Sequence, residues 1–311
     1  MYYRYRLQKK QQSTDNGSTW TDVSPLETRK GSVVGTYDTY SDCMSGTPTP
    51  TPYASQYLTF ESLEDGNKFR FNMNVIIGSQ SENRYVAEPR TISASTDGGQ
   101  TWFEWTSNVG GNNPIITINA GEKLLLKGEN DSYADVIVDE YGTHIPKCGL
   151  SGEKNFKIYG NIMSMLSGDN FVENKTITED YAFYKFLSGK LTTESGVSAF
   201  FNVKDISNLV LPATTLTKGC YCGLFTQFAC ITTAPELPAT TLASSCYDGM
   251  FYKCKNLNYI KCLATDISAT DCTSDWVSNV SSSGTFVKAA SMTGWTTGSS
   301  GIPDNWTVQN A

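Results

Sequence analysis

Leu211-Pro-Ala-Thr-Thr-Leu216 returns as Leu237-Pro-Ala-Thr-Thr-Leu242, and Cys220-Tyr-Cys-Gly-Leu-Phe225 returns as Cys246-Tyr-Asp-Gly-Met-Phe251, both 26 residues on. A fixed period of about 20–50 residues marks stacked units, because one such unit cannot bury its apolar face without neighbours above and below. The region is therefore expected to be a solenoid, an architecture that mostly presents surfaces. Phe225 and Phe251 should occupy equivalent core positions in adjacent coils.

Outward from this stretch the period fades. Phe200, Ile206 and Leu209 echo the spacing of Phe225, Ile231 and Ala234, which predicts a degenerate earlier coil. Leu263 to Ile267, with Cys272 and Trp276, reads as a drifting third copy. The run Phe156–Leu166 is expected to open the stack. Gly284-Thr-Phe-Val-Lys288 through Gly301-Ile-Pro-Asp-Asn-Trp306 should close it, since a terminal unit must cover the last apolar layer. The solenoid is thus expected over 129–283 and its cap over 284–311.

Residues 56–128 look all-β. Tyr57–Leu63, Lys68–Ile77, Ile115–Asn119 and Lys123–Lys127 are strand-like runs separated by turn clusters such as Glu64-Asp-Gly-Asn67. Their spacing predicts a small sandwich. Residues 1–44 form a further β module, in which Tyr2, Tyr3, Arg4, Tyr5 and Arg6 make an aromatic-basic first strand. The Pro-Thr run within 45–55 is an extended linker. A strand with unpaired edge groups can complete a sheet in a neighbouring subunit, so Tyr2–Arg6 are the expected docking residues. The fold class is accordingly mainly β: an N-terminal β module, a small sandwich and a short solenoid.

A hydrophobic content of 39% among 311 residues, with 17 Tyr, 14 Phe and 6 Trp, is ample for buried cores. The net charge of −7 argues against a nucleic-acid groove, which needs clustered Lys and Arg. No stretch approaches the roughly 18 apolar residues of a membrane span, so no membrane insertion is expected. The Met start is not followed by an apolar segment, which implies either a mature fragment or a chain that leaves its cell without the secretory route; the Met start favours the second expectation.

Seven of the nine cysteines lie within the clear repeats, between residues 220 and 272, and Cys220, Cys246 and Cys272 keep the 26-residue phase. The favoured reading is a ladder of buried thiols, with disulfides and a metal as competing readings. Cys220-Tyr-Cys222 lacks the spacer of common zinc pairs, and His144 is the only histidine. No cofactor is expected. Catalytic motifs for serine, metal or phosphate chemistry are absent from the sequence. Glu179-Asp180 and Asp139-Glu140 read as solvated acids rather than a general acid/base pair.

Ser13-Thr-Asp15-Asn-Gly17-Ser-Thr19-Trp20 and Ser95-Thr-Asp97-Gly-Gly99-Gln-Thr101-Trp102 share one pattern. It resembles the Asp-box, a hairpin turn of sialidases and many other β proteins, where it is structural. The repeats, with Cys246-Tyr-Asp-Gly-Met-Phe-Tyr-Lys-Cys-Lys-Asn-Leu257 and Leu257-Asn-Tyr-Ile-Lys-Cys-Leu263, resemble the BspA-like leucine-rich repeats. Pro-Ala-Thr-Thr-Leu with Cys-Tyr-x-Gly-x-Phe is similar to the form found in gut Bacteroidales and their crAss-like phages.

That resemblance implies adhesion or particle structure rather than catalysis. The expected role is a non-enzymatic virion accessory protein, of fibre or decoration type, held to other virion proteins by its N-terminal module. A bacterial cell-surface adhesin is the alternative, and a carbohydrate-active enzyme stands third. The expected contact surface is the strand face of the coils, with Thr232, Thr233, Glu236, Asn258, Tyr259 and Lys261 outward and Leu257, Ile260 and Leu263 inward. A host-surface glycan or protein is the expected partner there, and homo-oligomerisation is left open.

Overall fold

The structure, a computed structural model, describes residues 2–5, 11–12, 21–22, 33–37, 53–77, 84–108, 114–187 and 202–311. Met1–Pro52 and Tyr53–Ala311 form two compact units. In the first, β1 (Tyr2–Tyr5), β2 (Gln11–Gln12), β3 (Thr21–Asp22) and β4 (Val33–Tyr37) make two antiparallel pairs, β1 with β4 and β2 with β3. Arg6, the first Asp-box-like segment and the Pro-Thr run lie outside the described residues.

The second unit is mainly β and is built from several sheets. Its antiparallel part begins with β5 (Leu58–Ser62), β6 (Asn67–Met73), β7 (Val75–Ile77), β8 (Arg84–Val86), β9 (Thr91–Ser95) and β10 (Phe103–Thr106). It continues with β11 (Ile115–Ile118), β12 (Lys123–Lys127), β13 (Ile137–Asp139), β14 (Gly142–His144), β15 (Cys148–Gly152) and β16 (Phe156–Asn161). Alternate residues point to opposite faces of a strand, so Leu58 and Phe60, Phe69 and Phe71, Leu124 and Leu126 are all buried. The sheet β10-β9-β12-β5-β16 packs against β11-β6-β15 through these inner faces. Phe60 and Phe156 lie 5.7 and 5.1 Å from Phe69, ring centre to ring centre.

Strand β16 joins two kinds of architecture. It is antiparallel to β5 on one side and parallel to β17 (Val203–Asp205) and β18 (Leu209–Val210) on the other. The pairing of β5 with β16 carries the sheet across residue 128, where a change of unit was expected, and one continuous core reaches from Leu58 to Trp306. A short helix, α1 (Ser164–Ser167), the one α-helix among the described residues, follows β16.

Beyond β18 the 26-residue period becomes a ladder of stacked turns. The amides of Gly219, Tyr221, Gly223, Phe225 and Gln227 donate to the carbonyls of Ser244, Cys246, Asp248, Met250 and Tyr252. Ser245, Tyr247, Gly249, Phe251 and Lys253 repeat this onto Thr270, Cys272, Ser274, Trp276 and Ser278. Most of the intervening amides close tight turns on the residue three positions back, such as Cys222 on Gly219 and Thr226 on Gly223. Every fourth backbone position is left-handed: 219, 223 and 227, then 245, 249 and 253, then 271, 275 and 279. Gly219 is needed for a second reason, since a Cβ there would lie 2.3 Å from the Tyr181 ring stacked above it.

Side chains continue the ladder inside. Phe183, Tyr221, Tyr247, Trp276 and Trp295 form one column with ring centres 5.6 to 6.3 Å apart and planes within 22°. Phe225 stacks on Phe251 at 5.6 Å, both fully buried. The preceding rung of this column comes from Phe183; Phe200, named in the expected earlier coil, lies outside the described residues. Cys220, Cys246 and Cys272 are free, buried thiols, and burial pushes Cys220 up to about 12.

The last layer consists of β19 (Tyr259–Cys262), β20 (Thr285–Lys288) and β21 (Thr307–Asn310), three parallel strands in register. Trp295 covers Trp276, and the Trp306 indole donates to the Ser281 carbonyl at 2.8 Å. Among the described residues no helix is long and apolar enough to cross a membrane.

Candidate functional site

Strand β19 sets the geometry of the exposed face. Ile260 and Cys262 are fully buried, so Tyr259 and Lys261 turn outward by the two-residue alternation of a strand. The inward partner at the end of the strand is Cys262 rather than Leu263, which is only half-buried. Alternation runs 260, 262, so the expectation of an inward Leu263 slipped by one residue.

All six sequence-selected residues come together here. Thr233 bridges Tyr259 in parallel, and the Thr232 carbonyl accepts from the amides of Asn258 at 2.9 Å and Tyr259 at 3.2 Å. Ala234 donates to the Tyr259 carbonyl, and Leu237 to that of Lys261. These bonds hold the Thr232–Glu236 segment beside β19. Lys261 Nζ then reaches Glu236 Oε2 at 2.9 Å across the two rungs. Thr232, Glu236 and Asn258 are exposed, while Thr233, Tyr259 and Lys261 are half-buried. A pair this open contributes at most about 1 kcal/mol, so its value is in positioning. The face offers a phenol ring, an ammonium donor and a carboxylate acceptor at fixed spacing.

The second Asp-box-like turn joins β9 to β10 as a closed polar knot. Asp97 Oδ1 accepts from the Gln100 and Thr101 amides, both at 3.0 Å, and from the Ser95 hydroxyl at 2.8 Å. Asp97 Oδ2 takes the Thr101 hydroxyl at 2.6 Å. These bonds, the one to the Thr101 side chain foremost, hold its carboxyl well below the usual carboxylate range. The Trp102 indole donates to the Gly99 carbonyl at 3.1 Å, and Lys127 Nζ sits 4.4 Å from the centre of the Trp102 ring. The Ser95, Asp97, Thr101 and Trp102 side chains all bond within the turn, so the motif's Asp is committed to holding the hairpin.

One acid of each pair is held by local hydrogen bonds. Asp180 caps the Lys218 amide at 3.1 Å, and the Glu179 carbonyl accepts from the Thr217 hydroxyl. Asp139 is clamped between the Tyr85 hydroxyl and His144 Nε2, the latter at 3.1 Å. The hydrogen bond from Tyr85 leads in lowering its pKa. Among the described residues no group of three His, Cys, Asp or Glu side chains is placed to hold a metal.

Two features escaped sequence reasoning. The Tyr85–Asp139–His144 cluster joins residues more than 50 positions apart, with the imidazole stacked on the phenol at 3.7 Å. Lys147 is buried and donates to the Lys185 carbonyl; burial pushes it down to about 7. Nothing in Pro146-Lys147-Cys148 signals a buried lysine. Comparison with known protein families, curated proteins and solved structures finds no match.

Proposed function

We propose that the chain is a non-enzymatic accessory protein of a virion, a fibre or decoration component of a phage of gut Bacteroidales, whose BspA-type leucine-rich solenoid serves adhesion. The observation that carries this reading is the 26-residue ladder, in which each amide row bonds the next unit and one strand face stays open. A stack of this kind is rigid and presents side chains at regular spacing, as an adhesive surface requires.

On this reading the contact surface is Thr232, Thr233, Glu236, Asn258, Tyr259 and Lys261. Tyr259 supplies a flat apolar face at low entropic cost, and the Glu236–Lys261 pair supplies hydrogen bonds to a glycan or protein on the host surface. Tyr2–Arg6 attach the protein to other virion proteins by strand addition.

Particles produced with a chain lacking residues 1–50 should lose the protein, while the truncated chain stays folded and soluble. Particles carrying Tyr259→Ala with Lys261→Ala should retain it but bind host cells less. Full incorporation of the truncated chain would place the attachment elsewhere, and unchanged host binding would remove the strand face from the reading.

A further inference from the structure

The β13–β14 hairpin exposes more apolar side chain than any other short stretch of the described residues. Val138 is 72% exposed, Tyr141 50% and Val136 46%, all within six positions. Burying such side chains from water is favourable, and single exposed ones need no explanation, but three on one ribbon make a patch.

The ribbon is also held firmly along its length. The Tyr85 hydroxyl and His144 Nε2 both bind Asp139, and the His144 ring lies flat on Tyr85. At the base, just before β13, Asp135 accepts from Arg90 Nη2 at 2.5 Å and from the Glu88 amide at 2.7 Å. The valines are therefore presented in a fixed arrangement, which lowers the ordering cost of an encounter.

The surroundings select the partner. An open groove of about 720 Å³ runs beside Val136, and Glu129, Asp131, Glu179 and Asp180 line it. Its one cation, Arg90, is already paired with Asp135. Glu140 adds a further carboxylate at the tip. This charge opposes phosphate backbones and anionic bilayers, and two copies of the hairpin would repel one another.

We propose that the β13–β14 hairpin is a docking knob for a protein partner that offers an apolar groove edged by lysine or arginine. Val136, Val138 and Tyr141 enter the groove, and the partner's cations meet the acidic rim. This surface is separate from the strand face around Tyr259 and does not depend on it.

The test measures binding of the whole protein to three peptides of equal length, alternating Arg–Leu, Arg–Ser and Glu–Leu, and to phosphatidylserine vesicles. The Arg–Leu peptide should bind best and weaken as salt is raised. Val138→Ser with Tyr141→Ser, both exposed positions, should leave thermal unfolding unchanged and lower that affinity about tenfold or more. Several outcomes overturn the proposal: no binding of Arg–Leu, equal binding of Arg–Ser, an unaffected double variant, or vesicle binding that the double variant abolishes.

Discussion

Tyr221 and Tyr247 stack with ring centres 6.3 Å apart and planes 22° apart, and neither hydroxyl has a hydrogen-bond partner although both are buried. Their neighbours on the column, Phe183 and Trp276, place no donor or acceptor against them. A buried polar group left unpaired costs about 1–3 kcal/mol, so these hydroxyls oppose the stacking that the rings favour. Tyr221→Phe and Tyr247→Phe should each raise stability in chemical denaturation, by about 1 kcal/mol, and both together by more. A loss of stability in either variant would mean that the hydroxyl is satisfied in solution.

Phe225 and Phe251 test the stack itself. Each is fully buried, they lie 5.6 Å apart, and Phe251 also meets Trp276 at 6.2 Å. Truncation removes burial and leaves a cavity that a ladder fixed by backbone bonds cannot close. Phe251→Ala should cost about 3–5 kcal/mol in equilibrium unfolding, and Phe225→Ala a similar amount. If either variant unfolds at the wild-type denaturant midpoint, the side chain is not in the core.

How much of this could be read in advance follows from where each signal resides. The 26-residue phase placed Cys220, Cys246 and Cys272 in one layer and paired Phe225 with Phe251, because identical side chains repeat when identical surroundings do. The Asp97 turn was equally legible, since all its bonds close within eight residues. The left-handed rungs were legible only at Gly219, Gly223 and Gly249. Their equivalents Gln227, Ser245, Lys253, Asp271, Asp275 and Asn279 adopt the same backbone without glycine, because stacking hydrogen bonds override local preference. The rung at Phe183 was missed for a different reason. Its amide bonds to Cys220, 37 residues away rather than 25. The joint at β16 was hidden too, since its parallel partners β17 and β18 lie about 50 residues on, beyond any local pattern.

Lys147 provides the last prediction. Its side chain is buried, its Nζ donates to the Lys185 carbonyl, and among the described residues no carboxylate pairs with its charge. Burial first, then the nearby Lys185 charge, lowers it to about 7, whereas an unfolded lysine titrates near 10.4. Between about 7 and 10 the unfolded chain therefore holds a proton that the folded chain has released, so this group makes stability rise with pH across that window. Below pH 7 both states are protonated and the full cost of burying the charge is present. The buried thiols act in the opposite sense above about pH 8.5, because they stay protonated when folded and ionise when unfolded. Comparison with Lys147→Met cancels that contribution, since the variant keeps every thiol. Lys147→Met should unfold at a higher temperature than the wild type at pH 6, with the difference shrinking steadily toward pH 10. A difference that stays constant across this range would show that Lys147 carries no perturbed charge and acts only through its hydrogen bond to Lys185.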